Sequence, residues 1–284
     1  MKPKIGILHP GNMGISIAAS AQNSGCKVMW ASEGRSALTR ERAERFGLQD
    51  AGTLDELCRA SAIVVSVCPP HAAEEVADQV VARSYRGLYL DANAISPQAA
   101  KRIGVKLEAA GVDMVDGGIV GGPAWEPGQT WLYLSGKRAQ EIARCFAAGP
   151  LETSIIGSEI GKASALKVCY AAWTKGSTAL LCAIVATAAE LDVWPELQRQ
   201  WDRDWPGFDQ QAIQRVQRVT AKAWRFEGEM KEIAATFAAA GLPGEFHATA
   251  AEIYQRLSNF KDSTKTPGLE DVLAALVKEQ KRSQ

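Results

Sequence analysis

A glycine-containing turn near the N-terminus constrains the fold of this chain more than any other feature. The turn is His9-Pro10-Gly11-Asn12-Met13-Gly14. It joins residues 4–8, an apolar run of strand length, to residues 15–21, a run of small residues typical of a helix. Strand, turn and helix in this order form the context in which such glycines bind a dinucleotide. Gly11 lets the backbone approach a pyrophosphate, Gly14 lets the helix pack on the strand, and the helix N-terminus attracts phosphate.

One position departs from the usual G-x-G-x-x-G pattern, because His9 stands where that pattern has its first glycine. The alternative interpretation is therefore an ordinary turn of an α/β protein. The position of the turn directly after the first strand favours the nucleotide site. We predict that all six residues of the turn, including His9 and Pro10, contact the cofactor.

Composition excludes several classes of function. The chain has 284 residues, of which 46% are hydrophobic and 23% charged, and this composition predicts a globular protein with room for two domains. The 32 basic residues balance the 32 acidic ones and form no long run, so we expect no nucleic-acid partner. Because the chain enters a strand at once and residues 179–189 are too short to span a bilayer, we expect a cytoplasmic protein without a membrane segment. The scattered cysteines and three histidines predict reduced thiols and no metal site.

Predicted strands and helices alternate along the chain to about residue 157. The predicted strands cover residues 4–8, 26–31, 62–67, 87–91, 112–116, 130–134 and 153–156. The predicted helices between them cover residues 15–21, 38–46, 51–60, 72–82, 98–110 and 137–148. This alternation predicts an α/β fold with a Rossmann-type, doubly wound and mostly parallel sheet. Helical periodicity prevails beyond it, so we predict an NAD(P)-binding domain over residues 1–157 and an all-α domain over residues 158–284.

The end of the second predicted strand bears on the choice between NAD and NADP. Ser32, Glu33, Arg35 and Ser36 follow that strand, where a Rossmann unit meets the adenosine ribose. A hydroxyl and an arginine suit the 2′-phosphate of NADP, whereas an acid suits the ribose hydroxyls of NAD. Ser32, Arg35 and Ser36 therefore predict NADP, and Glu33 leaves NAD as the alternative.

Loops after later strands supply further candidates, because ligands bind at the carboxyl ends of parallel strands. The candidate cofactor-binding residues there are Cys68, Pro69, Pro70 and Asn93. The two prolines either give the loop a rigid shape beneath a cofactor or simply end the strand. Residues 117–122 hold two Gly-Gly pairs, which indicate a close approach of the backbone to another group.

The helix predicted over residues 163–190 carries the candidate for catalysis. Lys167, Tyr170, Thr174 and Thr178 follow one another at i, i+3, i+7 and i+11, so a regular α-helix places them on one face. A lysine has an ordinary pKa of about 10.4, and burial or a neighbouring positive charge lowers it toward the range of an acid/base catalyst. The alternative is that Lys167 extends to the surface and packs its stem on the helix.

Three segments together resemble the β-hydroxyacid dehydrogenase family, which includes the 3-hydroxyisobutyrate and 6-phosphogluconate dehydrogenases. Residues 5–14 resemble its cofactor turn, residues 116–122 its substrate-binding loop, and residues 161–167 the segment with its catalytic lysine. The resemblance implies that Lys167 is the acid/base residue, that the C-terminal domain resembles that of 6-phosphogluconate dehydrogenase, and that the protein is a homodimer. It also implies substrate contacts for Val120, Gly121, Gly122, Tyr170 and Thr174.

The chain departs from the family pattern on the substrate side. Val120 stands where the family usually has a serine, and Tyr170 and Ala171 stand where it has asparagines. The resemblance as a whole predicts an NADP-preferring oxidoreductase that transfers a hydride between the nicotinamide and a β-hydroxy acid or related carbonyl compound. The alternatives are a non-catalytic nucleotide or metabolite sensor with the same fold, and an enzyme similar to the imine reductases, relatives that lack the lysine.

Overall fold

The computed structural model describes residues 2–261, 263 and 265–277. The chain forms two compact units, and the boundary along the sequence lies between Val168 and Cys169. All strands of the described residues lie in the first unit, and the last of them ends at Gly157. Beyond Gly157 the described residues are helical or form short connections.

The first unit is built on an eight-stranded sheet with the order β3-β2-β1-β4-β5-β6-β7-β8. The strands are β1 (Lys4–Ile7), β2 (Lys27–Trp30), β3 (Gln49–Asp50), β4 (Ile63–Ser66), β5 (Leu88–Asp91), β6 (Asp113–Val120), β7 (Thr130–Ser135) and β8 (Leu151–Gly157). Only the β6–β7 pair is antiparallel in this sheet of described strands, and every other pair is parallel. The predicted doubly wound, mostly parallel α/β fold is confirmed.

Both faces of the sheet are covered, which explains why its central strands are continuous apolar runs. The helices of this unit are α1 (Asn12–Asn23), α2 (Ala37–Arg45), α3 (Leu54–Ala60), α4 (Ala73–Ala82), α5 (Pro97–Ala109), α6 (Ala139–Ala143) and the start of α7 (Lys162–Ala171). Successive residues of a strand face opposite sides, so Val64 lies in one hydrophobic core and Val65 in the other.

Three elements of the first unit differ from the prediction, and the first is the short strand β3, which the prediction lacks. β6 continues to Val120 instead of ending near Asp116, because Gly117–Val120 pairs with β7. α6 ends at Ala143, although a helix is predicted to residue 148. The segment after it is tied to α1 instead, since the Ala148 N–H donates to Ser24 Oγ at 3.0 Å and Gly149 lies against the Ser20 backbone.

The second unit is helical throughout its described elements. Its helices are the end of α7, α8 (Ser177–Glu190), α9 (Trp194–Asp204), α10 (Phe208–Val219), α11 (Ala223–Ala239), α12 (Glu245–Arg256) and α13 (Leu269–Val277). A π-helical turn, Ala172–Gly176, joins α7 to α8. The predicted helix over residues 163–190 is therefore present as one helical run with a π turn inside it.

This helical run, Lys162–Glu190, has 29 residues and is long and apolar enough to cross a membrane by length and composition. Half of its most apolar window is buried within the protein. The core helix of a soluble protein passes the same test, so the run is weak evidence for a membrane span.

Candidate active site

The turn between β1 and α1 contains two glycines that serve different purposes. A Cβ on Gly14 would lie 2.1 Å from the His9 carbonyl oxygen, so the turn can pack on α1 only with glycine there. Gly11 has an ordinary φ of −70°, and no described atom lies within 4 Å of where its Cβ would be. Nothing in the described protein therefore requires glycine at position 11.

The open space at Gly11 adjoins the N-terminus of α1. No side chain of the described residues caps this terminus, and the nearby Gly11 and Asn12 are exposed. Uncapped N–H groups and the positive end of the helix dipole bind anions. Because a side chain at position 11 would fill this space, the arrangement fits the pyrophosphate of a dinucleotide.

Two arginines hold the backbone of this turn. Arg35 donates from Nη2 to the Leu8 carbonyl oxygen at 3.1 Å, and Arg42 donates from Nη1 to the Pro10 carbonyl oxygen at 3.3 Å. Burial and the neighbouring Arg35 lower the pKa of His9 to about 4, so its imidazole is neutral at pH 7. Arg42 is absent from the predicted site, because only the packing of α2 on the turn reveals which side of that helix faces it.

The predicted ribose-binding residues after β2 differ in the hydrogen bonds that they already make within the protein. Although burial raises the pKa of Asp50, hydrogen bonds from Ser32 and the Gly52 N–H lower it overall. Ser36 accepts the Thr39 N–H at 3.3 Å and thereby caps α2. Arg35 is partly buried, and its Nε has no hydrogen-bond partner among the described residues. Within this group, Arg35 therefore combines a hydrogen bond to the turn with one buried N–H that has no partner.

Asn93 links the loops that follow β4 and β5. Its Oδ1 accepts the Cys68 N–H at 2.6 Å, and its Nδ2 donates to Ser66 Oγ at 3.1 Å. Only 2% of Asn93 is exposed, so its amide shapes the loop that contains Pro69 and Pro70. Burial raises the pKa of Cys68 to about 11, which keeps its thiol protonated at neutral pH.

The glycines of β6 are explained by packing within the protein. A Cβ on Gly118 would lie 2.4 Å from the Ala163 carbonyl oxygen and 3.1 Å from Lys167 Cβ, so α7 runs directly over this strand. Gly121 has φ +120°, and a Cβ there would lie 2.4 Å from the Gln129 carbonyl oxygen. The close approach that the two Gly-Gly pairs predict is therefore made by α7 and by the β6–β7 connection. Gly122 is exposed and has no described atom within 4 Å of its Cβ position.

The first unit brings most of the predicted site residues to one edge of the sheet. The groups around Gly11, Arg35, Pro69 and Asn93 each follow the carboxyl end of a parallel strand, where this class of sheet binds ligands. Val120 is the last residue of β6 and is half-buried. Lys167 is half-buried on α7 and lies against Gly118 of the same strand.

Tyr170 and Thr174 lie in the second unit, where the π turn alters the predicted stripe. A π turn adds about one residue to a turn of helix, which rotates the residues beyond it by about 100°. The hydroxyl of Thr174 donates to the Tyr170 carbonyl oxygen at 3.1 Å, and that of Thr178 to the Thr174 carbonyl oxygen at 2.8 Å. These threonines are therefore bonded to their own helix, while Tyr170 is exposed.

A buried ion pair stands beside this turn. Lys175, within the π turn, pairs with Glu229 of α11, and its ammonium lies 4.8 Å from the centre of the Phe226 ring. The Tyr254 hydroxyl donates to the Lys175 carbonyl oxygen at 2.6 Å. This arrangement could not be predicted from the sequence. Lys175 lies just off the predicted stripe, and its two partners, Glu229 and Tyr254, are 54 and 79 residues further along the chain. Among the described residues, no group of three or more His, Cys, Asp or Glu side chains has metal-binding geometry.

Comparison with known proteins agrees with this geometry. Residues 4–145 match the family model for the NAD binding domain of 6-phosphogluconate dehydrogenase, and residues 188–257 match a domain of unknown function, DUF1932. A protein of Methanothermus fervidus, the "uncharacterized 28.5 kDa protein in 7S RNA 5′ region", is 30% identical over 166 residues. That match covers 58% of this chain and 63% of the relative, which is less than two thirds of its length.

Two solved structures extend the similarity over nearly the whole chain. The conserved protein MTH1747, which has structural similarity with 3-hydroxyacid dehydrogenases, is 26% identical with a TM-score of 0.69 and covers 90% of this chain and 97% of its own. The 3-hydroxyisobutyrate dehydrogenase of Mycobacterium tuberculosis, solved with L-serine, is 18% identical with a TM-score of 0.70. It covers 98% of this chain and 100% of its own, and at this identity it shows the fold alone.

Proposed function

Because the chain belongs to the family of the 6-phosphogluconate dehydrogenase NAD-binding domain, we propose that it is an NADP-preferring oxidoreductase of β-hydroxy acids or related carbonyl compounds. The observation that carries this proposal is the free space at Gly11 beside the uncapped N-terminus of α1. The residues of the turn, from His9 to Gly14, would hold the pyrophosphate there. When bound, the nicotinamide donates or accepts the hydride.

Lys167 is the acid/base residue in this proposal. Its stem lies against Gly118, at the edge of the sheet where the strands of the NAD-binding domain end. A positioned ammonium donates a proton to a carbonyl oxygen during reduction, and the neutral amine removes the hydroxyl proton during oxidation. Half-burial of Lys167 is compatible with this role, because part of the residue remains accessible.

Val120 bears on the class of substrate. It follows Asp116 and Gly118 at intervals of two residues on β6, so the three share the face of the strand that meets α7. A branched apolar side chain offers no hydrogen bond to a carboxylate. We therefore propose that the substrate presents an apolar group to Val120, with Gly122 beyond it leaving room for the rest of the molecule.

The decisive experiment compares Lys167→Ala with the wild type on a panel of β-hydroxy acids, their carbonyl counterparts and cyclic imines. General acid–base catalysis contributes about 10²- to 10⁴-fold, so turnover should fall by at least about 10²-fold. NADPH binding should persist in this variant. Lys162→Ala is the matched control, because Lys162 lies on the same helix with its side chain half exposed. Equal turnover by Lys167→Ala and the wild type would refute the mechanism.

The preference for NADP rests on Arg35, whereas Glu33 and Asp50 bring negative charge to the same end of the sheet. A hydrogen bond to a charged group contributes about 1.5–3 kcal/mol, which corresponds to about 10- to 100-fold in affinity. Arg35→Ala should weaken NADPH binding by this factor and leave NADH binding nearly unchanged. Arg45→Ala is the control variant, because Arg45 is an exposed arginine at the end of α2, the helix that follows Arg35. If Arg35→Ala weakens the binding of NADPH and NADH equally, Arg35 only supports the backbone of the turn and does not select NADP.

The competing candidate is a non-catalytic sensor of nucleotides or metabolites. It is favoured by Val120 and by the hydroxyl groups of Thr174 and Thr178, which are already bonded to backbone. Turnover that depends on Lys167 would reject the sensor. Selective turnover of the cyclic imines without Lys167 would instead identify an imine reductase.

We also propose a cytoplasmic homodimer. The six cysteines, all within the described residues, are free thiols. Large apolar side chains are exposed on the second unit, among them Trp173 at 73% and Leu191 at 67%. A contact between two copies would cover such surface, and light scattering at micromolar concentration would detect it.

A further inference from the structure

The start of α7 is bound to a carboxylate that has no solvent exposure. Asp116 of β6 is 0% exposed. Its Oδ2 accepts hydrogen bonds from the Gly161 N–H at 2.9 Å and the Ser164 N–H at 3.0 Å, and its Oδ1 accepts the Ser164 hydroxyl at 2.6 Å. The first N–H groups of a helix have no partner within the helix, and a carboxylate there also complements the helix dipole. Asp116 therefore anchors the N-terminus of α7 from the neighbouring strand.

Ser135 of β7 completes this anchor. Its hydroxyl donates to Asp116 Oδ2 at 3.0 Å and accepts the Ala163 N–H at 3.1 Å. Hydrogen bonds with a charged partner are about twice as strong as those between neutral groups. Asp116 and Ser135 thus hold Gly161, Ala163 and Ser164 at the start of α7.

The anchored residues are close to Lys167 along the helix. Lys167 lies three residues after Ser164, so both occupy the same side of α7. Gly118, two residues after Asp116 and on the same side of β6, leaves space for Ala163 and for the Cβ of Lys167. Strand β6 therefore binds the helix at Ser164 through Asp116 and packs closely against it at Lys167 through Gly118.

We propose that Asp116 is a positioning residue for the reaction: its carboxylate, acting through Ser135 and Ser164, sets the position of Lys167. This role deepens the proposed function and rests on it. Asp116 does not contact the reacting atoms and acts through the helix. An ionised carboxylate is needed, because donors converge on both of its oxygens and an amide in its place would turn an NH₂ group toward some of them.

A second buried carboxylate, Asp91, lies on the strand beside Asp116. Asp91 pairs in register with Asp116 across β5 and β6. Burial and the charge of Asp116 raise the pKa of Asp91 to about 7, and the Asn93 N–H opposes this rise. Asp91 Oδ2 has no hydrogen-bond partner among the described residues. Asp91 therefore takes up a proton near neutral pH, which removes negative charge from the strand beside Asp116.

The test uses the full-length variants Asp116→Asn and Ser164→Ala, with Asp113→Asn as the control on the same strand. Asp113 is exposed and pairs with Arg138, away from α7. A misplacement of about 1 Å at a reacting group costs about 10²-fold in rate. Asp116→Asn should lower kcat by about this factor, leave the dissociation constant for NADPH unchanged, and shift the pH profile that Lys167 controls. Ser164→Ala should show a smaller loss that Ser164→Thr restores.

Several outcomes would overturn the proposal. Wild-type kcat and pH profile in Asp116→Asn would do so, as would an equal loss of kcat and NADPH affinity, which indicates general damage to the fold. If Asp116→Asn does not fold, the same criteria apply to Ser164→Ala.

Hydrogen exchange over residues 158–171 separates failure of this proposal from failure of the proposed function. If no turnover depends on Lys167, the proposed function fails. The hydrogen-exchange rates still show whether Asp116 stabilises the start of α7. Faster exchange at the start of α7 in Asp116→Asn than in Asp113→Asn would support the anchoring of this helix. Unchanged exchange would overturn it.

Discussion

Gly14 offers the sharpest test of how the cofactor turn is built. In Gly14→Ala the added methyl would lie 2.1 Å from the His9 carbonyl oxygen and 3.2 Å from the His9 carbonyl carbon. Nonbonded carbon atoms rest at about 3.5–4.0 Å, so either the turn or α1 must move. Both atoms belong to the backbone, and no side-chain rotation can relieve the contact.

The magnitude follows from two opposing effects. Overpacking costs about 1–3 kcal/mol, and a contact of 2.1 Å with backbone belongs to the upper part of that range, about 2–3 kcal/mol. Alanine favours a helix over glycine by about 1 kcal/mol, which offsets part of this cost. We expect a net loss of about 1–2 kcal/mol in the free energy of unfolding. For a domain of the size of the first unit, this lowers Tm by about 2–8 °C. Thermal unfolding followed by circular dichroism measures the change.

Gly11→Ala is the matched control, since its methyl would meet no described atom within 4 Å. Glycine is better than alanine at an N-cap, so this variant should lose only about 0.5 kcal/mol. Its NADPH affinity should fall by about 10-fold or more, because the methyl occupies the space that fits the phosphates. Equal Tm values for the two alanine variants would refute the packing argument. Unchanged NADPH binding by Gly11→Ala would show that the phosphates lie elsewhere.

Two further predictions concern buried charges. Burial, with a contribution from Arg35, lowers the pKa of His9 from 6.5 to about 4. The unfolded chain takes up this proton at a higher pH than the folded protein, so the free energy of unfolding should fall as the pH drops from 6.5 to 4. His9→Gln should remove this pH dependence from a series of urea titrations. Glu229→Gln leaves the Lys175 ammonium buried without its counter-charge, because these side chains are only 9% and 12% exposed, and should lower the free energy of unfolding by about 3–5 kcal/mol. The control Glu227→Gln breaks the more exposed pair with Lys231 and should cost less than about 1 kcal/mol in the same urea titration.

The sequence predicts the parallel part of the sheet well, for a physical reason. A strand buried on both faces is a continuous apolar run, and residues 62–67 show this pattern around the observed β4. Strand β6 could not be predicted to its full length. Glycines weaken a strand and are typical of loops, and only pairing with β7 makes Gly117–Val120 part of the sheet.

The helical side of the site depends on contacts that are remote in sequence. The π turn at Ala172–Gly176 interrupts a run whose composition favours a regular α-helix. Lys175 within it is bonded to Glu229 and Tyr254, and no local pattern connects these residues. The sequence predicts Asn93 as a cofactor ligand, and it gives no sign that the Asn93 amide also joins two loops, because the bonded residues Ser66 and Cys68 lie 25–27 positions away.

Gly11, Gly14 and Gly118 are glycines for different reasons, and distinguishing these reasons decides which part of the motif concerns a ligand. Gly14 is required by the backbone of its own turn, and Gly118 by the helix that crosses β6. Both would be needed in a protein that bound no nucleotide. Gly11 has no such requirement, because its φ suits any residue and its Cβ position is open. The case for a bound dinucleotide therefore depends on Gly11, and the pair of alanine variants at Gly11 and Gly14 tests that distinction directly.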